Sequence, residues 1–148
     1  MELSGIHHVS ILVTDMERAV GFYSQVLGLE EIVRPSNFQT PVRWFTLGAQ
    51  QIHLIPSDEP DSSSPRHFAI HVDDCAAARD YFTGKGVPPI ETEPIAGADR
   101  FFIADPDGNH VEIIHFSREW SAESEKELGV PESTGLSLAE RHQRELPV

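Results

Sequence analysis

Apolar and polar residues alternate along short stretches of the chain, and each stretch is followed by a helical pattern. Near the N-terminus, Val9, Ile11 and Val13 alternate with other residues, which predicts a β-strand. Asp15 then stands at an N-cap position, and apolar residues recur at helical spacing until Gly28 ends the pattern. Three further segments look extended or are rich in β-branched and aromatic residues: 30–34, 42–47 and 51–55. The first part therefore predicts the order β-α-β-β-β.

The second part repeats the first. Residues 57–65 are rich in Ser, Pro and acidic side chains, which predicts a surface linker. Beyond it, residues 67–72 alternate again, a short helical pattern follows, and the turn sequence 105–108 joins two more predicted strands, 101–103 and 110–116. One shift of 59 residues relates matching positions, namely His8 to His67, Asp15 to Asp74, Phe22 to Tyr81, Tyr23 to Phe82 and His53 to Glu112. A constant shift indicates a duplicated unit.

The predicted fold class is therefore α+β, with two tandem βαβββ modules. We expect one domain over residues 1–116, with module one at 4–56, a linker at 57–65 and module two at 66–116. Residues 117–148 are polar and rich in Glu, and 137–140 has the form of a capping box. This tail is expected to be partly helical.

Charge and cysteine content exclude several classes of function. The chain has 148 residues with 24 Asp and Glu against 11 Lys and Arg, a formal net charge of −13, which argues against nucleic acid or an anionic membrane as a partner. No apolar run is long enough for a signal or membrane segment, so a cytoplasmic protein is expected. Cys75 is the only cysteine and excludes an internal disulfide and a thiolate metal cluster. The eight histidines remain to be explained.

Strand alternation predicts a cluster of metal-ligating side chains. On the faces opposite the apolar positions of four strands lie His8, His53, His67 and Glu112. If the two modules are related by a pseudo-twofold axis, these four residues converge. A divalent metal would satisfy their nitrogens and oxygens, and imidazole with carboxylate suits Fe, Mn, Ni, Co or Zn better than Ca or Mg. Which ion is bound stays open, and His53 is either a fourth ligand or a base.

Further side chains are candidates for the walls of such a site. His71 shares the face of His67 and is a candidate acid–base residue, with a polar pocket wall as the simpler interpretation. Arg43 and Arg100 have the strand parity to hold an anionic substrate group, although an exposed rim position would explain either residue as well. Phe102 and Ser10 are candidate substrate-binding residues on the same grounds.

Two separated motifs carry a resemblance to a known family. Ile6-His7-His8-Val9, which leads into Asp15-Met16-Glu17-Arg18 and the Phe22-Tyr23 to Gly28-Leu29 stretch, occurs together with Asp105-Pro106-Asp107-Gly108-Asn109-His110-Val111-Glu112. This combination resembles the vicinal oxygen chelate superfamily, which includes glyoxalases, bleomycin resistance proteins and extradiol dioxygenases. The resemblance covers residues 4–116. It implies paired βαβββ modules in an open barrel around a metal ion, often in a homodimer.

The resemblance assigns roles to some positions and departs from the family at others. His8 matches the family's ligand on the first strand, His67 the ligand that opens the second module, and Glu112 the carboxylate ligand after the turn. His53 stands where glyoxalase I members have a glutamate, and Leu12 where they have an arginine for glutathione. A glutathione lyase is therefore not favoured.

The function that follows is a metal-dependent enzyme that binds a small substrate through vicinal oxygens. Open positions on the ion would accept two neighbouring substrate oxygens, which suits a dioxygenase or a lyase or isomerase. The alternative is a protein of the bleomycin resistance type that binds an antibiotic or another small ligand without chemistry. A fosfomycin-type thiol transfer is a third possibility, but the sequence offers no convincing anion-binding set for it.

Overall fold

The chain runs twice through the same series of elements. The computed structural model describes residues 1–37, 39–93, 95 and 97–117. The first series is β1 (His8–Val13), α1 (Met16–Gly21), β2 (Glu30–Ile32), β3 (Arg43–Leu47) and β4 (Gln50–Pro56). The second series is β5 (His67–His71), α2 (Cys75–Gly84), β6 (Ile90–Glu91), β7 (Ala98–Ala104) and β8 (His110–Phe116). The predicted α+β class and the doubled β-α-β-β-β order are confirmed, while the predicted C-terminal helix lies outside the described residues.

Each series forms one four-stranded sheet. The strand orders are β1-β4-β3-β2 and β5-β8-β7-β6. In both sheets the first strand pairs in parallel with the last, and the register places His8 opposite Gln51 in one sheet and His67 opposite His110 in the other. Both partners move by 59 residues, from 8 to 67 and from 51 to 110. The repeat found in the sequence is thus a repeat of strand pairing.

The chain divides into two compact units, described separately below. The N-terminal unit contains residues 1–63 together with 104–109, and the C-terminal unit contains 64–103 together with the chain from residue 110 onward. The boundary after Ser63 lies inside the segment expected to be a linker.

The first helix differs from the sequence prediction in its last turn. Asp15 caps α1 by accepting a hydrogen bond from the Arg18 backbone N–H at 3.0 Å. After Gly21 the helix widens into a π-helical turn over Phe22–Val26, which the Leu27 N–H closes onto the Phe22 carbonyl at 3.0 Å. This turn contains Phe22 and Tyr23, which are both buried. Hydrophobic spacing does not distinguish such a turn from α-helix, because the apolar residues recur at nearly the same interval.

Apolar side chains on one face of each sheet form the cores. In the N-terminal unit the buried set is Val13, Ala19, Tyr23, Phe45, Ile52 and Leu54. In the C-terminal unit it includes Phe82, Phe101, Ile103, Val111 and Ile113. Each large apolar side chain contributes roughly 1.5–3 kcal/mol on burial, so these faces hold the sheets to their helices. The opposite faces are left to carry the histidines.

Asp105 organises the turn that belongs to the N-terminal unit. Its carboxylate is 5% exposed and accepts hydrogen bonds from the Tyr23 hydroxyl at 3.2 Å and from the side-chain amide of Asn109 at 2.8 Å. The backbone N–H groups of Asp107 and Asn109 also donate to it, at 2.9 Å and 2.8 Å. Burial and the nearby Asp105 charge raise the pKa of Tyr23 far above its ordinary value. The expected turn is confirmed, since the Gly108 N–H bonds the Asp105 carbonyl at 3.0 Å.

Across the part of the chain that the structure describes, none of the helices is long and apolar enough to span a membrane.

Candidate functional site

Three aromatic rings stack on the polar face of the N-terminal sheet. His53 on β4 lies opposite Trp44 on β3, and their rings are parallel within 6° with centroids 4.3 Å apart. The ring of His8, from β1, lies 4.2 Å from the His53 ring at an angle of 14°. His53 is 8% exposed. The structure therefore brings together His8 and His53, two of the four predicted ligands.

Neighbouring polar groups fix the orientation of the two imidazoles. His53 Nε2 lies 2.9 Å from the Gln51 Oε1 atom, so this nitrogen carries the hydrogen when the amide oxygen faces it. The Nδ1 atoms of His7 and His8 are 3.0 Å apart. Burial, followed by the nearby His8 and His7 rings, lowers the pKa of His53. His53 is thereby kept as a neutral imidazole, the form that ligates a metal or accepts a proton.

A cavity of about 530 Å³ opens beside this ring stack. Its lining residues are His7, His8, Ser10, Val42, Trp44, Gln51, His53 and Ile55. Ser10 thus lies where the sequence placed it, on the His8 face. Among the described residues, no Lys, Arg, Asp or Glu lines this cavity.

His67 and Glu112 form the second pair, in the C-terminal unit. His67 Nε2 lies 3.2 Å from Glu112 Oε2, and His67 Nδ1 lies 2.8 Å from the Pro65 carbonyl oxygen. Since the carbonyl can only accept, Nδ1 carries a hydrogen, and the contact with the ionised carboxylate places a second proton on Nε2. The hydrogen bond to Glu112 raises the pKa of His67, and the same bond, with that from Arg100, lowers the pKa of Glu112.

Arg100 binds the second oxygen of Glu112. Its Nη1 donates to Glu112 Oε1 at 2.9 Å, while Nε and Nη2 donate to the Glu93 carbonyl oxygen at 3.1 Å and 3.0 Å. The Phe102 ring lies edge-on to His67 at 5.0 Å between centroids. Arg100 and Phe102 therefore lie beside His67 and Glu112, as their strand parity predicts, although Arg100 already has a carboxylate partner. His71 shares their face in the register, opposite Ile114, and is exposed.

Arg43 is placed differently from the prediction. In the register it lies opposite Leu54, a buried core residue, whereas Trp44 lies opposite His53. Its guanidinium is hydrogen-bonded by Glu31 and lies 3.3 Å from a Glu17 carboxylate oxygen. The expected parity is therefore wrong, because Arg43 lies on the helix-facing side of β3 rather than on the His53 side.

The donor set has the chemistry of a metal site, divided between two pairs. Two ligands about 2.1 Å from one ion and at right angles are about 3 Å apart, which is close to the spacing of His67 Nε2 and Glu112 Oε2. The Pro65 carbonyl orients His67 as carbonyl groups commonly orient ligating histidines. Within the described ranges, no group of three or more His, Cys, Asp or Glu side chains is arranged to hold a metal ion. Imidazole and carboxylate donors fit a transition metal in chemical type.

Comparison with known proteins places the chain in a family. The family model of the Glyoxalase/Bleomycin resistance protein/Dioxygenase superfamily matches residues 5–113, and the chain belongs to this superfamily. The trivalent organoarsenical cleaving enzyme of Bacillus sp. (strain MD1) is 30% identical over 121 residues, which cover 73% of this chain and 71% of that protein. A probable lactoylglutathione lyase of Vibrio cholerae is 28% identical over 122 residues, 74% of this chain and 88% of the relative.

A solved structure agrees with this assignment. The crystal structure of a protein assigned to the glyoxalase family from Bacillus anthracis superposes with a TM-score of 0.72 at 26% identity. The match covers 78% of this chain and 98% of that protein. The family resemblance found in the sequence is thereby confirmed.

Proposed function

We propose that this chain is a metal-dependent enzyme that binds a small substrate through two neighbouring oxygen atoms, with His8, His53, His67 and Glu112 as the metal ligands. The observation that carries the proposal is the contact between His67 Nε2 and Glu112 Oε2 at 3.2 Å, with Nδ1 of His67 bound to the Pro65 carbonyl. A proton lies between two good ligand atoms, where a divalent ion would replace it. The pair of His8 and His53 supplies the remaining donors.

Such an ion would act as a Lewis acid for two vicinal substrate oxygens. The protein's own groups would orient the substrate and move a proton. His53 is neutral because its pKa is lowered, so it can accept a proton from a substrate carbon or hydroxyl when it does not ligate the ion. Glu112 is held in its ionised form by His67 and Arg100. His71, on the same face as His67, is the second acid–base candidate.

Two reaction classes fit this arrangement. With Fe(II) on His8, His67 and Glu112, two histidines and a carboxylate form the donor set of a facial triad, and the reaction is dioxygenation. With a redox-inert ion, proton abstraction beside a carbonyl gives a lyase or isomerase reaction. The relatives carry both kinds of name, a lyase and a carbon–arsenic-type cleaving enzyme for organoarsenicals, so they do not choose between the classes.

The two ligand pairs lie in different units, and the proposal requires them to share one ion. They would meet either within one chain or between the two chains of a homodimer. Both arrangements use the same four residues.

The direct test measures bound metal and turnover in the same preparation. Freshly purified protein is analysed for transition metals, loaded with Fe, Mn, Ni, Co or Zn in turn, and assayed for oxygen uptake with a panel of catechols and for isomerisation of α-hydroxycarbonyl compounds. We expect metal binding and one of the two activities, both lost in Glu112→Gln. Glu31→Gln is the matched control, since Glu31 binds Arg43 on the other side of its sheet. Protein that takes up none of these metals would refute the proposal.

The cavity favours one alternative, a binding protein without chemistry. Its volume of about 530 Å³ and its rings from Trp44, His53 and His8 are typical of a small-ligand site. Such a protein would be stabilised by its ligand in thermal melts equally with and without metal. Stabilisation that requires the metal would exclude this alternative.

A further inference from the structure

We propose that the substrate of this site is an uncharged molecule in which the two vicinal oxygens are attached to a flat, apolar body. This inference rests on the proposed function and adds the substrate class. The observation behind it is the absence of Lys, Arg, Asp and Glu from the cavity lining among the described residues, combined with the stacked rings that form one wall.

The polar groups of the lining are weak hydrogen-bonding groups rather than ions. Ser10 offers a hydroxyl and Gln51 an amide whose oxygen is engaged with His53. Val42 and Ile55 supply apolar surface. Transferring a carboxylate or phosphate from water into such a lining costs free energy unless a cation compensates for it. None of the lining side chains is a permanent cation.

The two arginines expected to bind an anion are already neutralised. Arg43 lies on the helix-facing side of its strand and is bound by Glu31 and Glu17. Arg100 uses Nη1 for Glu112 and its other donors for the Glu93 carbonyl. An anionic substrate would have to break one of these ion pairs to gain a partner. The formal net charge of −13 adds a long-range repulsion against anions.

The shape of the wall favours a planar body. The rings of Trp44, His53 and His8 are parallel within 6° and 14° and form one stack, so a flat ring can continue or border it with offset packing. The cavity of about 530 Å³ is larger than a single unsubstituted ring requires, which points to a substituted or fused-ring diol.

The test compares two ligands of nearly the same shape. 4-Isopropylcatechol and 3,4-dihydroxybenzoate both carry vicinal hydroxyls, and the isopropyl group of the first has nearly the shape of the ionised carboxylate of the second. Their Kd values are measured by anaerobic calorimetry on the metal-loaded protein at neutral pH. We expect 4-isopropylcatechol to bind at least about tenfold more tightly, a difference of about 1.4 kcal/mol. Equal or reversed affinities would overturn the inference.

A charge introduced at the cavity should reverse the preference. Ser10→Lys places a cation beside the lining, and we expect it to strengthen binding of 3,4-dihydroxybenzoate at least about tenfold relative to 4-isopropylcatechol. Ser62→Lys is the matched control, since it changes the net charge equally at an exposed position that does not line the cavity. An identical response of the two variants would show that net charge, not the cavity lining, sets the preference, and would overturn the inference.

A third ligand separates this inference from the proposed function. 4-Isopropylresorcinol has the same apolar group, but its hydroxyls are not vicinal. If it binds as tightly as 4-isopropylcatechol while 3,4-dihydroxybenzoate binds weakly, chelation fails and the preference for a neutral ligand stands. If 4-isopropylcatechol does not bind the metal-loaded protein at all, both are refuted.

Discussion

His67 and Glu112 share one proton across 3.2 Å, and each is also held by a second partner. The Pro65 carbonyl accepts from Nδ1 of His67, and Arg100 donates to the other oxygen of Glu112. The metal-free pair is therefore ordered before any ion arrives. An ion would have to displace only the shared proton, because the outer partners already point both ligand atoms toward each other.

The pair should make the stability of the metal-free protein depend on pH. Glu112 has a lowered pKa, so its contribution is complete above the ordinary value of 4.5 and is lost as pH falls through the folded value. His67 has a raised pKa, so its contribution is complete below 6.5 and is lost as pH rises through the folded value. Between these limits both contribute. With chelator present, Glu112→Gln should lower the free energy of unfolding by about 1 kcal/mol more near pH 5.5 than near pH 9, after allowance for solvent screening.

Denaturant titrations of both proteins at the two pH values check this prediction. Glu31→Gln is a control, because Glu31 pairs with an arginine rather than with a group that titrates in this range. A difference between wild type and Glu112→Gln that does not change with pH would show that His67 does not depend on Glu112.

Metal affinity should fall in acid because the ion competes with the proton of His67. Below the raised pKa of His67, the apparent affinity should fall by up to about tenfold for each pH unit, and above it this effect should level off. Competition titrations with a chromophoric chelator between about pH 5.5 and pH 8 measure this. A constant affinity over that range would contradict a ligand role for His67.

Arg100 should influence the metal through Glu112. Because it binds Oε1, it leaves Oε2 as the oxygen that faces His67. Arg100→Met removes this constraint, and we expect metal affinity to fall by about 10–100-fold, as for other partners of ligating groups. Arg100→Lys, which keeps one donor and the charge, should recover part of the loss. Unchanged affinity in Arg100→Met would make the contact irrelevant to the metal.

Asp105 should be important for stability rather than for chemistry. Asp105→Ala leaves the buried Tyr23 hydroxyl and the Asn109 amide short of an acceptor, which should cost about 2–4 kcal/mol of unfolding free energy. Tyr23→Phe removes only one of the four donors and should cost about 1 kcal/mol. Thermal and denaturant unfolding measure both. Asp58→Ala, in an exposed loop, should change little, and an Asp105→Ala protein as stable as wild type would contradict this role.

The fold could be predicted from the sequence because the signals are local and occur twice. Alternation defines β1 and β5, and both helix caps, Asp15 and Asp74, accept the expected backbone hydrogen bonds. The shift of 59 residues then supplied the parallel pairing of β1 with β4 and of β5 with β8. These features depend on backbone preference and burial, which a sequence displays directly.

The site could be predicted only in part. In β3, Trp44, Phe45 and Leu47 are all apolar, so alternation does not show which face Arg43 takes, and the register to β4 decides it. Gln51, the partner of His53, could have been found, since it lies two residues away on the same face of the strand. The contacts of Pro65 and Glu93 through their backbone carbonyls leave no trace in side-chain chemistry. The joint role of the four ligands stays a prediction.

The most direct test of that role is a cobalt(II) titration followed by optical absorption, because the visible bands report the ligands of the ion. Wild type should bind one ion per chain, and His8→Gln, His67→Gln and Glu112→Gln should each weaken binding and change the bands, although His8 belongs to a different unit from the other two. His115→Gln is the matched histidine control, since His115 Nδ1 contacts the Val72 carbonyl. Cobalt bands that are absent in wild type, or unchanged in His8→Gln, would contradict a shared metal centre.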